Sequence, residues 1–137
     1  IPLPTLQVLS AAAQAQIKES KALLCPMIDA RRMEVYTALY DASLQPQTEV
    51  KAVIVDEFFD TCSAQEVVYF GDGAEKCTKV ILSPNWHHMP DIYPQAQYMG
   101  KLAEQSTIRI QGADLAYFEP FYLKEFVAAQ SHVKGLK

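Results

Sequence analysis

Cysteine, histidine, glycine and tryptophan are all scarce in this chain of 137 residues, which has three cysteines, three histidines, five glycines and one tryptophan. Cys25, Cys62 and Cys77 make no C-x-x-C pair, so a zinc ribbon or a thioredoxin-type site has nothing to build on. Reduced thiols packed as small hydrophobes are expected instead, as in a cytoplasmic protein. His87 and His88, followed by Asp91, lack the H-E-x-x-H spacing, and adjacent side chains diverge on a helix or a strand. No metal is expected there; with Pro84 and Pro90 around them, the histidines read as polar loop residues, one packing against Trp86. No run approaches the roughly 20 apolar residues of a membrane helix. The nearest, residues 9–15, is broken by Ser10 and Gln14. A basic segment leading into an apolar one, the mark of a secretory signal, is missing as well. Basic residues are outnumbered 12 to 16, for a net charge of -4, whereas a stand-alone nucleic-acid binder would want a basic patch.

What is present suits one globular domain. Half the residues are hydrophobic and a fifth are charged, enough to bury a core and too few charges for a disordered chain. The sequence opens on Ile1, so it is expected to be a piece of a longer polypeptide.

Apolar positions Leu6, Leu9, Ala13 and Ile17 recur at helical spacing and predict a helix over 5–19, with Thr5 as N-cap. Residues 23–28 form a compact apolar run. Over 33–40, Met33, Val35, Thr37 and Leu39 alternate with Glu34, Tyr36, Ala38 and Tyr40, which predicts a strand paired with that run as a hairpin. Residues 48–55 alternate again and predict a third strand. Beyond it the pattern predicts a short helix over 56–62, a buried strand over 66–70, a tight turn at Gly71-Asp72-Gly73 and a helical segment at 74–77. A short strand over 79–82, a loop over 83–91 and a helix over 94–105 follow. Tyr98, Met99 and Leu102 are its expected core contacts. Tyr117, Phe118, Phe121 and Tyr122 are expected to pack on the sheet, because Lys124 alone offers the basic interleaving of a base-stacking platform. The tail from residue 131 is expected to fray. The fold class is therefore α/β: three antiparallel strands followed by parallel βα units, the order of ribonuclease H-like folds and of each lobe of actin-like and sugar-kinase ATPases.

The segment Ile28-Asp29-Ala30-Arg31-Arg32-Met33-Glu34-Val35-Tyr36 resembles a signature of the TsaB (YeaZ) family, which belongs to the bacterial machinery for threonylcarbamoyladenosine in tRNA. Other features follow in the family's order. Ile1-Pro2-Leu3-Pro4-Thr5-Leu6 resembles the lead into the helix after the first lobe, and Gly71-Asp72-Gly73-Ala74 follows a strand. Pro94-Gln95-Ala96 opens the late helix, and Pro120-Phe121-Tyr122-Leu123-Lys124 is similar to the near-terminal Pro-x-Tyr-Leu-Arg, with lysine for arginine. The family's initial Asp-Thr-Ser strand and its Gly-Pro-Gly-Ser segment have no counterpart. The resemblance thus implies a C-terminal lobe spanning 1–137: a leading helix over 1–20, a mixed sheet with helices over 21–123 and a tail over 124–137. It also implies a non-catalytic scaffold that pairs with a TsaD-like catalytic paralogue and a TsaE-like ATPase, mainly through the other lobe. Contact with tRNA would be indirect, the compartment the cytoplasm, and a homodimer stays open.

Two groups stand out as candidate binding residues. Asp29, Arg31, Arg32 and Glu34 form a polar cluster that either pairs internally at a hairpin end or touches a partner or the other lobe. Gly71, Asp72 and Gly73 are the nearest thing to a nucleotide loop. By the resemblance this loop occupies the place where actin-like lobes hold adenosine. Lys76 stands where a dinucleotide fingerprint needs glycine, no Walker A sequence exists, and Asp72 and Glu75 would repel phosphate. The loop reads as degenerate, and no cofactor is expected. No catalytic triad or carboxylate pair is recognised. The competing reading is one lobe of an ATP-using actin-like or sugar-kinase enzyme, or of a hydrolase of the kind labelled glycoprotease.

Overall fold

Successive residues of β1 (Leu23–Asp29) face opposite cores, and the fold is organised around that strand. The computed structural model describes residues 1–17, 21–56, 65–106 and 116–124. In it, β2 (Glu34–Thr37), β3 (Lys51–Ile54), β4 (Val67–Phe70) and β5 (Trp86–Met89) join β1 in one five-stranded sheet of order β3-β2-β1-β4-β5. β2 runs antiparallel to both β1 and β3, whereas β4 is parallel to β1 and β5 parallel to β4. The protein is thus α/β with an open mixed sheet.

Helix α1 (Thr5–Gln14) covers one face. Its Leu6, Leu9 and Ala13 pack in one core with Leu24, Ala38, Tyr40, Phe70 and Ile92. On the other face Cys25, Met27, Val35, Leu39, Val67, Tyr69 and Trp86 form a second core with Ala74 and Cys77, which come from the 3₁₀ turn Glu75–Lys79 and the residue before it. With both faces covered, β1 reads as a continuous apolar run, not as an alternation. Pro26 sits in this central strand, where a missing N–H would normally count against it. The ladder bends around it: Leu24 and Tyr40 exchange backbone bonds of 2.8 and 2.9 Å, and regular pairing resumes at Met27–Thr37. The Pro26 carbonyl is taken by the buried Thr37 hydroxyl at 2.7 Å.

Several expectations are corrected. Thr5 opens α1 but does not cap it; the N-cap is Pro4, with no side-chain bond. No strand forms over 79–82, because the Val80 and Ile81 amides both bond back to the Cys77 carbonyl at 2.9 Å. A strand instead lies at Trp86–Met89, inside the expected loop. The late helix splits into a 3₁₀ turn, Ala96–Tyr98, and α2 (Met99–Gln105). Leu102 is buried and Tyr98 packs on the α1-side core, but Met99 is 43 % exposed. Tyr117, Phe118, Phe121 and Tyr122 are exposed and do not pack on the sheet. The expected helix over 56–62 falls mostly, and the tail from 131 entirely, outside the described residues. Among the described residues no helix is long and apolar enough to cross a membrane.

Candidate functional site

Because β1 and β4 are parallel neighbours, their carboxyl ends lie side by side, the usual place for sites in open α/β sheets. This brings together the two candidate groups. The Asp29 amide donates to Asp72 Oδ1 at 3.0 Å, across 43 residues of sequence. The Gly73 amide donates to the Met27 carbonyl at 3.0 Å and extends the contact beyond the regular ladder. A Cβ on Gly73 would stand 2.9 Å from the Ile28 carbonyl carbon and 3.0 Å from the Asp29 nitrogen. Gly71 has φ +107°. The glycines are therefore accounted for by close approach to the protein's own strand.

The hairpin end is fixed from within. Asp29 Oδ1 accepts the Arg31 amide at 2.9 Å and the Lys76 ammonium. Lys76 also donates to the Glu34 carbonyl at 2.8 Å, and that carbonyl accepts the Ala30 amide at 3.1 Å. The Glu34 carboxylate is paired with Lys124, whose ammonium lies 6.0 Å from the centroid of the Tyr36 ring. The expectation that Arg31 or Arg32 would pair with these carboxylates is thus replaced by two lysines from distant parts of the chain. Both arginines are exposed, with φ of 71° and 51°. A non-glycine residue in this region costs about 1 kcal/mol or more.

Lys76 and Lys124 are the residues that sequence reasoning undervalued. Lys76 registered only as a break in a glycine pattern, and Lys124 only as a substitute for arginine and as the lone basic residue beside the aromatics. Their partners depend on pairing between strands, which local sequence does not encode.

The Lys76 hydrogen bond, with the Arg31 amide second, holds the Asp29 carboxyl below its ordinary value of 3.8. A lowered folded-state pKa means the carboxylate contributes stability above the unfolded value, and that stability is lost as pH falls through the folded one. An Asp29→Asn variant is therefore expected to melt below wild type at neutral pH, and the gap should close as the pH drops below 3.8. Melting curves of both proteins across that window check this; a gap independent of pH refutes it. The group is largely exposed, so the effect is modest.

The histidines lie on the edge strand β5, beside β4. His87 Nε2 is 2.8 Å from Glu66 Oε2, both largely exposed, beside a shallow concavity of about 410 Å³ also bordered by Lys21 and Val68. His88 stacks on Tyr69 with ring centroids 5.2 Å apart, and Tyr69 also meets Trp86 at 6.2 Å. The two rings diverge, as adjacent positions on a strand require. Among the described residues no group of three or more His, Cys, Asp or Glu is placed to hold a metal ion. Cys25 and Cys77 are buried; the Cys25 sulfur lies 3.3 Å from the Thr37 hydroxyl, the Cys77 thiol donates to the Gly73 carbonyl at 3.2 Å, and burial pushes the Cys77 thiol up.

Comparison with models of known protein families gives no match, and comparison with curated proteins gives none at a significant level.

Proposed function

We propose that the chain is the second lobe of a two-lobed, TsaB-type protein, acting as a non-catalytic scaffold in the tRNA threonylcarbamoyladenosine machinery of the cytoplasm. It would stand beside a TsaD-like transferase and a TsaE-like ATPase, with tRNA contacted through those partners. The observation that carries this reading is a coincidence of topology and motif. The strand order 3-2-1-4-5, with only β2 reversed, is the order of ribonuclease H-like and actin-like lobes. The family-like segment over 28–36 falls on its first hairpin, and the Gly71 loop closes on that same hairpin.

The side-chain chemistry favours scaffolding over catalysis. Asp29 and Glu34 are neutralised by lysines, Asp72 is spent on a backbone amide, and the glycines pack on β1. A nucleotide loop would hold its amides and glycines open to a ligand. The test is removal of the protein from its cell, followed by mass spectrometry of tRNA nucleosides. Loss of the threonylcarbamoyl mark, restored by the wild-type gene, is the expected result, together with co-purification of the TsaD-like subunit. Normal modification without the protein would overturn the proposal, and ATP hydrolysis by the purified protein alone would favour the enzyme-lobe reading.

A further inference from the structure

We infer that Arg31, Arg32 and Met33 form a docking knob for a carboxylate-bearing surface of a partner protein. This deepens the subunit reading and rests on it. The three consecutive residues are exposed at the tip between β1 and β2, Met33 by 39 %. Carboxylates lie close in sequence at Asp29 and Glu34, yet Lys76 and Lys124 occupy them. Among the described residues neither guanidinium has an ion-pair partner. Both arginines also hold positive φ, where asparagine or glycine would sit with less strain. Among the described residues the Arg31 side chain acts on Asp29 only as a nearby positive charge, and neither side chain makes a hydrogen bond or ion pair that would offset this strain.

The tip is nonetheless rigid. Asp29 holds the Arg31 amide, the Glu34 amide bonds the Arg31 carbonyl at 3.1 Å, and the Ala30 amide bonds the Glu34 carbonyl. A pre-ordered tip loses little freedom on docking. Its chemistry fits a protein better than a nucleic acid. Two arginines in a chain of charge -4 are too few cations for a nucleic acid, whose affinity rests on many phosphate contacts. Guanidinium groups pair with carboxylates through two parallel bonds, and arginine and methionine are both enriched at protein interfaces.

The test uses the full-length protein, an Arg31→Asn/Arg32→Gly variant and a Met33→Ala variant. The probes are purified TsaD-like and TsaE-like subunits and an unmodified tRNA transcript. Relief of backbone strain should raise the melting temperature of the double variant by roughly 4 °C. Its affinity for one protein subunit should fall roughly tenfold, and Met33→Ala should weaken the same complex. Wild-type affinity should also decline with added salt. Unchanged affinity in a folded double variant would overturn the knob and leave the subunit reading standing. Failure of the wild-type protein to bind either subunit would overturn that reading, and the knob with it. A loss confined to the tRNA transcript would overturn the choice of a protein partner.

Discussion

Replacing Gly71 with alanine is expected to destabilise the protein by about 3 kcal/mol, lowering the melting temperature by roughly 10 °C or more. The residue holds φ +107°, well outside the region that a side chain tolerates. An added Cβ would overlap the Met27 carbonyl oxygen and stand 2.9 Å from Leu9 Cδ2. Neither neighbour has room to move, since Met27 is 0 % and Leu9 2 % exposed. The Met27 carbonyl also accepts the Gly73 amide, so pushing it aside breaks the bond that seats the loop on β1. Leaving such a buried pair unmade costs about 1–3 kcal/mol. Gly100 is the internal comparison: it lies in α2 with nothing near its Cβ position. Gly100→Ala should therefore raise stability by about 0.5–1 kcal/mol. Urea titrations followed by circular dichroism measure both. A Gly71→Ala protein as stable as wild type would mean that the loop does not press on β1. A glycine kept for a ligand would behave differently, losing affinity with the fold intact.

The alternation over 33–40 was legible because it is a local property of the chain. Val35, Thr37 and Leu39 do share one face, and Ala38 and Tyr40 the other. Burial on both faces was not legible, since it depends on what covers the sheet. β5 was missed for a related reason. An edge strand tolerates polar residues, so the histidines of Trp86–Met89, bracketed by prolines, resembled a loop. Conversely Val80, Ile81 and Leu82 resemble a strand by composition, but their segment turns back on Cys77 and leaves Leu82 84 % exposed. The candidate site divides in the same way. Its hairpin half and its glycine half were each visible, as a motif and as a turn. Their meeting follows from the parallel β1–β4 register, which pairs Cys25 with Tyr69 and Pro26 with Phe70. No short-range signal specifies that register.

Phe70→Ala should be the most damaging core truncation next to the site, at about 3–5 kcal/mol, which is a large share of the roughly 5–15 kcal/mol that holds a domain folded. Phe70 ends β4, is 0 % exposed and belongs to the core beneath α1. Strands on both sides hold it, at Pro26 and Met89, so the sheet has little scope to collapse into the cavity. Phe121 supplies the contrast, since it is 78 % exposed, and Phe121→Ala should shift stability by no more than about 0.5 kcal/mol. Combining Phe70→Ala with Gly71→Ala tests the packing argument further. Leu9, one of the atoms that blocks a Cβ at Gly71, lies in the same core as Phe70. A cavity at Phe70 gives Leu9 somewhere to go, so part of the Gly71 clash is relieved. The double variant should therefore lose less than the sum of the single losses, by more than the roughly 0.5 kcal/mol scatter of independent sites. Full additivity would place the clash on the Met27 carbonyl alone and remove α1 from the account of why this loop needs glycine.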